Sequence, residues 1–511
     1  MSANNRKDLV MALDAGTGAA RCFVTSLDGE IRFDTYQEWQ YLFPPEAQPG
    51  GMEFDPKQFW LIFVNLIQKM LKNNQIDPNQ IKAISSTSQR EGFILLDKQG
   101  NELYAGPNTD VRWPINGESI ARDFGEEIYR VSGHWPLPMF APYRLLWLKE
   151  KKPDLYSRAD SMLMINDWIL YHLCGEKISE PTNAVETLLF DLTEKNWSWT
   201  LIEQLGLPKH LFSEVCPSGT MIGGVTHAAA QETGLIEGTP VVTGGADTHC
   251  GVFGSGSLHD GQISTICGTY AQSVMVLDQV IIDDRCRAWS GCYLLPNKWI
   301  IESTAMETGQ AFRFIRDVFY QSDKVDVYSK MDEDAQKSPP GARGIQSFIG
   351  PRVPDYRDLH FESRGGFLLP LPPLSSRSSR KDFCRAVLES VAFGIRANIE
   401  RLIAISGKQP YTLSICGGMS KSIAFREILA NVMNRPIRIA REKEGTALAA
   451  AICAAVGSKQ FSSFEEGAGQ LIEFEDVVIR NDFADLYDDL YQNWLSLMPI
   501  MYDKEGLGEI Q

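Results

Sequence analysis

Apolar runs that end at glycine recur along the chain and predict buried β-strands. They are LVMALDAG at 9–16, PVVTGGAD at 240–247 and LSICGG at 413–418. The segment RCFVTSLDGEIRF predicts a hairpin that turns at Asp28-Gly29. A strand, a glycine turn and a hairpin follow one another again in GQISTICGTYAQSVMVLD at 261–278. We therefore expect two related halves.

Helical patterns separate these strands. Asp55-Pro56 is a typical N-cap followed by proline in the first turn, and apolar residues then recur every three or four positions from Phe59 to Leu71. A second apolar stripe runs through 381–405. Strands that alternate with helices predict α/β layers with mixed sheets.

The chain length indicates two domains. It has 511 residues, whereas a single hydrophobic core stops growing near about 250–300 residues. The turn-rich segment GSGSLHDG at 254–261 is the expected connection. We predict a first domain over residues 1–254 and a second over residues 255–511.

Charge and composition argue against several classes of protein. Lys and Arg total 49 against 65 Asp and Glu, and the net charge of −16 argues against nucleic acid as a partner. The ten cysteines include no CxxC pair that would indicate a zinc or redox site. The amino-terminal apolar run is too short for a signal peptide, and the apolar stretch at 447–457 is too short to cross a bilayer. We expect a cytoplasmic protein without a membrane partner; monomer and homodimer both remain open.

Three glycine turns are candidates for holding a nucleotide. In DAGTGAAR, backbone N–H groups and the Thr17 hydroxyl can approach phosphate oxygens while Asp14 holds a cation. CGTY at 267–270 takes the corresponding place in the second half, and CGGMSKS at 416–422 follows another strand. Each turn alone fits an ordinary tight turn as well as a ligand site. The chain has no GxxxxGK[ST] P-loop, and DAGTGAAR lacks the third glycine of a dinucleotide fingerprint.

Two polar clusters are candidates for substrate binding. Gln89-Arg90-Glu91 ends a predicted strand, and Asp110 follows in NTDVR. Opposite charges beside amide groups suit the binding of several hydroxyls of a small polar molecule. A structural ion pair is the alternative for Glu91 and Asp110. Asp247, after the strand PVVTGGA, fits three roles: a helix cap, a metal ligand or a catalytic base.

Together these motifs resemble the FGGY carbohydrate kinases, a branch of the actin, hexokinase and Hsp70 ATPase fold. The resemblance covers nearly the whole chain and rests on the order and spacing of DAGTGAAR, SQREG, PNTDVRW, INDWILYHLCGE, EPTNA, TGGADTHCGVFG, ICGTY, METGQAFRFIRD, CGGMSKSIAFREILANV and EGTALAAA. It implies a duplicated α/β fold with two mixed-sheet domains, in which ATP and a carbohydrate substrate meet in the cleft between them.

The resemblance also implies a role for each candidate residue. Asp247 would be the general base that accepts the proton of the attacking hydroxyl, and Asp14 and Asp247 would hold Mg²⁺. Substrate contacts would come from Gln89, Arg90, Glu91, Asp110 and Asp247. ATP contacts would come from Gly16, Thr17, Arg21, Gly268, Thr269, Gly309, Arg313, Gly417, Gly418 and Ser422.

Within the family, segments such as SQREGFILLD and MINDWILYHLCGE are most similar to the autoinducer-2 kinases, and xylulokinases and other pentulose kinases share much of the pattern. GGADTHCG departs from the GGGD and AGDQ forms of close relatives, and no role for His249 and Cys250 follows from the sequence. A filament-forming or chaperone ATPase of the same fold is the alternative from another class, but it leaves the substrate clusters unused. A nicotinamide-dependent oxidoreductase ranks third because the fingerprint is incomplete.

Overall fold

Two mixed β-sheets, each covered by helices, organise the chain. The structure is a computed structural model that describes residues 7–115, 117–321, 326–357, 359, 364–370, 378–477 and 483–502. The first sheet has the strand order β12-β13-β4-β1-β2-β3, and the second has the order β16-β17-β15-β14-β20-β21-β22. The bounds of these elements follow.

The strands are β1 (Leu9–Ala15), β2 (Ala19–Ser26), β3 (Arg32–Glu38), β4 (Ile81–Ser88), β5 (Phe93–Leu96), β6 (Glu102–Gly106), β7 (Ser161–Met164), β8 (Ile178–Ser179), β9 (Phe190–Asp191), β10 (Asn196–Trp197), β11 (Glu214–Val215), β12 (Met221–Gly224), β13 (Pro240–Ala246), β14 (Ile263–Cys267), β15 (Ala271–Leu277), β16 (Trp289–Cys292), β17 (Trp299–Thr304), β18 (Gln346–Ser347), β19 (Phe367–Leu368), β20 (Leu413–Cys416), β21 (Ile437–Ala440) and β22 (Phe474–Val477).

The helices are α1 (Pro56–Asn73), α2 (Gly117–Ser132), α3 (Ala141–Lys151), α4 (Pro153–Arg158), α5 (Ile165–Cys174), α6 (Pro181–Ala184), α7 (Trp199–Gln204), α8 (His227–Thr233), α9 (Asp247–Gly254), α10 (Thr308–Phe319), α11 (Val327–Lys337), α12 (Arg380–Ser406), α13 (Ile423–Val432), α14 (Gly445–Gly457), α15 (Phe464–Leu471) and α16 (Ala484–Tyr502). None of the described helices is long and apolar enough to span a membrane.

The two sheets share one topology. In the first, β1 pairs antiparallel with β2, β2 pairs antiparallel with β3, and β1, β4 and β13 run parallel. In the second, β14, β15 and β17 repeat the antiparallel run, while β14, β20 and β21 are the parallel strands. The prediction of two related α/β halves with mixed sheets is confirmed.

Local signals place the predicted helix and hairpin correctly. Asp55 caps α1 by accepting hydrogen bonds from the backbone N–H groups of Lys57 and Gln58, and Pro56 occupies the first turn. Gly29 has φ of 73°, a value that glycine adopts without strain, in the turn between β2 and β3. Interactions between residues that are close in the sequence therefore explain where α1 begins and where the β2–β3 hairpin turns.

Two helices lie between the sheets. Residues 447–455 of α14 are buried, in a cluster that includes Val10 of the first sheet and Val274 of the second. A Cβ on Gly254 of α9 would lie 2.1 Å from the carbonyl oxygen of Gly445 in α14, so only glycine lets the two helix backbones approach this closely. The division of the chain at 254/255 stays a prediction, since α14 follows that point but packs against β1, β4 and β13.

An insertion in the first half forms a third packing layer. Strands β6, β5 and β7 make a small sheet whose core also contains Trp289, Cys292 and Tyr356 from the second half. Because Trp289 and Cys292 belong to β16, this insertion packs on the edge strand of the second sheet. The two halves are thus in contact through this insertion as well as through the central helices.

Candidate active site

Three candidate segments that are distant in sequence meet at one edge of the first sheet. Asp14 lies near the carboxyl end of β1, the 89–91 segment follows β4, and Asp247 follows β13. These strands are parallel, and Asp14 and Gly245 are both in register with Thr87 of β4. The carboxyl ends of parallel strands in open α/β sheets are where ligands bind. The topology therefore assembles one site from three motifs.

Asp247 is the first residue of α9, and its carboxylate is partly buried. Its Oδ1 accepts hydrogen bonds from the backbone N–H of Thr248 (2.6 Å) and from the Thr248 hydroxyl (3.3 Å). Ala246 is the N-cap residue, so Asp247 is not the cap, although one of its oxygens bonds to the first turn. Burial raises the pKa of Asp247 above its ordinary value. A carboxylate with a raised pKa suits general-base catalysis near neutral pH.

The EPTNA segment fixes the backbone immediately before Asp247. Thr182 Oγ1 accepts a hydrogen bond from the backbone N–H of Ala246 (2.8 Å) and donates one to Glu180 (2.6 Å). The other Glu180 oxygen accepts a hydrogen bond from the Ser218 hydroxyl (2.6 Å). This buried chain holds the junction of β13 and α9 in place. Thr182 is accordingly a positioning residue that the sequence analysis quoted without a role.

Asp14 has the features of a magnesium ligand. Its Oδ1 is buried and has no hydrogen-bond partner among the described residues, an arrangement that costs free energy unless a ligand satisfies it. Burial, with the nearby Asp247 carboxylate, raises the pKa of Asp14 to about 7. Mg²⁺ binds through one or two protein carboxylates together with substrate phosphates and water. Two carboxylates suffice for such a site, and the described residues contain no cluster of three or more metal-binding side chains.

The turn at Gly16 and Thr17 is braced by side chains from the same half. Trp39 Nε1 donates to the Gly16 carbonyl (3.0 Å), the Tyr41 hydroxyl donates to the Thr17 carbonyl, and Asn108 Nδ2 donates to Thr17 Oγ1 (3.2 Å). Thr17 nevertheless remains exposed. The turn is rigid and accessible, as a phosphate contact requires.

Arg21 makes ion pairs instead of pointing freely into solvent. Its guanidinium lies 2.9 Å from Asp34 of β3 and 3.1 Å from Glu444, the residue before α14. Arg21 therefore connects the first sheet to a helix from the second half. Its contact with ATP stays a prediction.

The glycine turns of the second half stack on one another. A Cβ on Gly309 would lie 2.2 Å from the Gly268 carbonyl oxygen, and a Cβ on Gly417 would lie 2.6 Å from the Cys267 carbonyl oxygen. Gly417 also has φ of 90°, in the region that favours glycine. By contrast, a Cβ on Gly418 would have no neighbour within 4 Å. Gly309 and Gly417 are needed for close backbone packing, whereas Gly418 borders open space.

Two predicted nucleotide contacts have defined partners in the structure. Arg313 of α10 donates a hydrogen bond to Thr269 Oγ1 (3.2 Å), so it joins the Gly268-Thr269 turn. The Ser422 hydroxyl caps α13 by accepting from the Phe425 N–H (3.1 Å) and donates to Asp332. These contacts favour the tight-turn interpretation for Ser422. Arg313 remains a candidate for binding ATP.

Arg90 is the centre of a buried ion cluster that joins the two halves. Its Nη1 donates to both oxygens of Glu302 on β17 (3.0 and 3.1 Å) and to Glu186 (3.2 Å), and its Nε lies 3.8 Å from Glu91. Burial raises the pKa of Glu91 and of Glu186, and their carboxylates repel one another. Glu91 adopts φ of 60°, an uncommon backbone conformation that often marks a functional site.

The remaining substrate candidates differ in what they can offer a ligand. Gln89 Oε1 accepts from the Asn108 N–H (2.9 Å), but its buried Nε2 has no hydrogen-bond partner among the described residues. Asp110 is fully buried and accepts hydrogen bonds from Tyr104, Met52 and Arg112. Because both Asp110 oxygens already have donors, the structure favours the ion-pair alternative over substrate binding for Asp110.

Three residues of the site were not found by the sequence analysis. Arg144 is fully buried and donates hydrogen bonds to the carbonyls of Glu91 and Pro107, which holds the 89–91 segment against the segment before Asp110. Glu186 and Glu302 complete the cluster around Arg90. The sequence signal that could have revealed Glu302 is its position inside the apolar strand WIIEST, because a buried charge needs a partner.

Comparison with known proteins identifies the family. The model of the N-terminal domain of the FGGY family of carbohydrate kinases matches residues 9–254. The model of the C-terminal domain of the same family matches residues 264–458. An autoinducer-2 kinase of Yersinia pestis is 33% identical over 499 residues, which cover 95% of this chain and 93% of that protein.

Solved structures match the fold. A ligand-bound xylulose kinase from Lactobacillus acidophilus superposes with a TM-score of 0.84 at 22% identity, covering 96% of this chain and 97% of that one. A gluconate kinase from the same organism gives 0.84 at 22% identity, covering 97% and 99%. The predicted fold is confirmed, and family membership decides against the filament, chaperone and oxidoreductase alternatives. The chain belongs to the FGGY family of carbohydrate kinases, enzymes that phosphorylate sugars.

Proposed function

We propose that the protein transfers the γ-phosphate of ATP to a hydroxyl of a small carbohydrate or sugar-like molecule, with Asp247 as the general base. The observation that carries this proposal is that Asp247 and Asp14 lie at the same edge of the first sheet. The helix that begins with Asp247, α9, packs against β14, and β14 leads into the Gly268-Thr269 turn. This arrangement supports the roles proposed for Asp247 as base, for Asp14 as cation ligand and for the Gly268-Thr269 turn as phosphate contact.

The proposed reaction needs positioning more than covalent chemistry. The substrate hydroxyl forms a bond to the γ-phosphorus while the bond from that phosphorus to the β–γ bridging oxygen breaks, and ADP leaves. Asp247 accepts the hydroxyl proton. Thr182 keeps the backbone before Asp247 fixed through the 2.8 Å hydrogen bond to Ala246. Arg90 and Glu91, which follow β4, lie at the same edge to orient the substrate.

Asp14 and Asp247 would hold Mg²⁺. The cation supplies neutralisation of phosphate charge when it is bound. The unpaired buried oxygen of Asp14 supports this assignment. Next to Asp14, the Gly16-Thr17 turn of the first half would contact the phosphates. From the second half, the Gly268-Thr269 turn would contact them as well, while Gly309, Arg313 and the open face of Gly418 would surround the nucleotide.

For the substrate we infer the open, hydrated form of dihydroxy-pentanedione, in line with the curated autoinducer-2 kinase relatives. Xylulose or another pentulose or polyol is the alternative, supported by the xylulose kinase fold match. A cytoplasmic location stays a prediction, as does the choice between a monomer and a homodimer.

A substrate panel with an ADP readout tests the proposal. Purified protein with Mg²⁺ and ATP is given dihydroxy-pentanedione, D-xylulose, xylitol or gluconate, and ADP release is compared with that of a sample without sugar. We expect strong stimulation by at least one compound, and a far weaker stimulation in the Asp247→Asn variant. ADP release that no sugar increases would contradict a sugar kinase of this chemistry.

A further inference from the structure

His249 lies two residues beyond the proposed base, and the proposed mechanism does not use it. Its side chain is fully buried on α9, and neither Nδ1 nor Nε2 has a hydrogen-bond partner among the described residues. A buried polar group without a partner destabilises the folded state. An imidazole with two unbonded nitrogens therefore indicates that something outside the protein chain satisfies it.

Two further buried groups near Arg90 share this feature. Trp289 is 6% exposed and Glu186 is 1% exposed. Trp289 Nε1 has no hydrogen-bond partner in the described part of the chain, and the same holds for Glu186 Oε2, which lies 3.6 Å from His134 Nε2. The Arg90 guanidinium carbon lies 6.0 Å from the Trp289 ring, and Arg90 also bonds to Glu186.

The strand geometry connects His249 to the same region. A Cβ on Gly291 would lie 3.5 Å from His249 Nε2. Trp289 and Gly291 are two residues apart on β16, so their Cα–Cβ directions point to the same side of the strand. His249 and Trp289 therefore lie on one side of β16, next to the Arg90 cluster, and the absence of a side chain at Gly291 leaves space beside the imidazole.

The charge of this region restricts the ligand. Arg90 is its cation, and three carboxylates lie within 3.8 Å of the guanidinium: Glu91, Glu186 and Glu302. Glu302 compensates the guanidinium charge, and burial raises the pKa of Glu91 and of Glu186, so no free positive charge remains for a ligand carboxylate. An uncharged oxygen needs no such cation. A neutral imidazole offers one donor and one acceptor, and an indole offers one donor, so together they can bind a hydroxyl or a carbonyl oxygen.

We propose that His249 and Trp289 form a substrate subsite for an uncharged oxygen, and that this subsite makes the enzyme a kinase of neutral polyols and keto compounds that rejects sugar acids. The inference rests on the proposed function, because the subsite adjoins the Arg90 and Glu91 contacts of that substrate. It assigns a role to the residue that distinguishes the GGADTHCG motif, and it separates two substrate classes found among the fold relatives, xylulose and gluconate.

The first test measures steady-state kinetics and melting temperature for His249→Leu, His249→Gln and a control, His259→Leu, at an exposed histidine. The substrate is the neutral compound that the wild type phosphorylates best. We expect His249→Leu to raise its KM roughly tenfold, as expected for one or two lost hydrogen bonds, with the KM for ATP and the melting temperature maintained. Glutamine, which has a donor and an acceptor, should recover part of the affinity, and His259→Leu should behave as the wild type.

Two further arms decide between the subsite and a structural role. Gly291→Ala adds one methyl group beside His249 Nε2 at an ordinary contact distance and should raise the substrate KM without loss of stability. The wild type should phosphorylate D-xylulose or dihydroxy-pentanedione far better than gluconate. An unchanged substrate KM with a lowered melting temperature in His249→Leu overturns the subsite, and equal use of gluconate overturns the neutral class. A wild type that no sugar stimulates instead overturns the proposed function, and the inference with it.

Discussion

Arg90 of the first half donates two hydrogen bonds to Glu302 of the second half, at 3.0 and 3.1 Å. Both side chains are buried, so removal of either one leaves an unpaired buried charge. Its cost exceeds that of losing an exposed ion pair, which contributes at most about 1 kcal/mol. The residue predicted from the sequence to bind substrate thus also links the domains that form the cleft. The proposed function therefore makes substrate affinity and domain contact depend on one guanidinium.

This dual role changes the expected effect of Arg90→Ala. The substitution leaves Glu91, Glu186 and Glu302 buried without their cation, so we expect the free energy of unfolding to fall by about 3–5 kcal/mol in addition to a higher substrate KM. The double variant Arg90→Met, Glu302→Met removes one charge of each sign and should regain part of the stability but not the affinity. Melting temperature and KM measured on both variants separate the two effects. A single variant as stable as the wild type would argue against the cluster.

Asp247→Asn should lower turnover by orders of magnitude while the fold persists. Removal of a general base typically lowers kcat by a factor of about 10²–10⁴, and asparagine keeps the acceptor that bonds the Thr248 N–H. ADP affinity and melting temperature should therefore stay close to the wild type. Near-normal turnover would remove the base assignment.

Thr182→Val tests whether the backbone before Asp247 needs its hydrogen bond. Valine has nearly the same shape as threonine but cannot accept from the Ala246 N–H, so Asp247 loses its fixed position. We expect kcat to fall about 10- to 100-fold, because small misplacements of reacting groups are costly, while the KM for substrate changes little. Thr182→Ser keeps the hydroxyl and should restore most of kcat. Equal activity of the valine and serine variants would show that the hydroxyl has no part in positioning.

The sequence predicts this site only as far as its signals are local. Asp14, the 89–91 segment and Asp247 each follow an apolar strand, and parallel strands bring such segments together. Glu302 and Glu186 belong to the site through contacts across 212 and 96 positions of the chain, which no local pattern encodes. Ser422 has a residue type suited to a ligand, but its partner Asp332 lies 90 positions away and is set by the fold. Asp110 instead pairs with Arg112 two positions on, which is the ion-pair alternative that the sequence had left open.

The pH dependence of stability tests the environment of Asp14. Its pKa is about 7 in the folded protein and 3.8 ordinarily, so between these values the folded state binds the proton more tightly and stability falls as pH rises. In the absence of Mg²⁺, Asp14→Asn should therefore melt at a higher temperature than the wild type at pH 8 and at a similar temperature near pH 4. The pKa shift limits the corresponding difference in the free energy of unfolding to about 4 kcal/mol. A difference in melting temperature that does not change with pH would contradict the raised pKa.

Alanine substitutions at three glycines locate the nucleotide. Gly309→Ala places a Cβ 2.2 Å from the Gly268 carbonyl oxygen, so the Gly268-Thr269 turn must move, and both stability and ATP affinity should fall. Gly418→Ala meets nothing within 4 Å and should leave the melting temperature unchanged. If the adenosine lies against Gly418, the added methyl group should still raise the KM for ATP several-fold, with the KM for the sugar unchanged. Gly469→Ala, also without a neighbour within 4 Å but on α15, is the matched control and should alter neither quantity. A Gly418→Ala enzyme with the ATP affinity of the Gly469→Ala control would place the adenosine elsewhere, because open space at a binding surface cannot accept a methyl group and keep the same contact with a ligand.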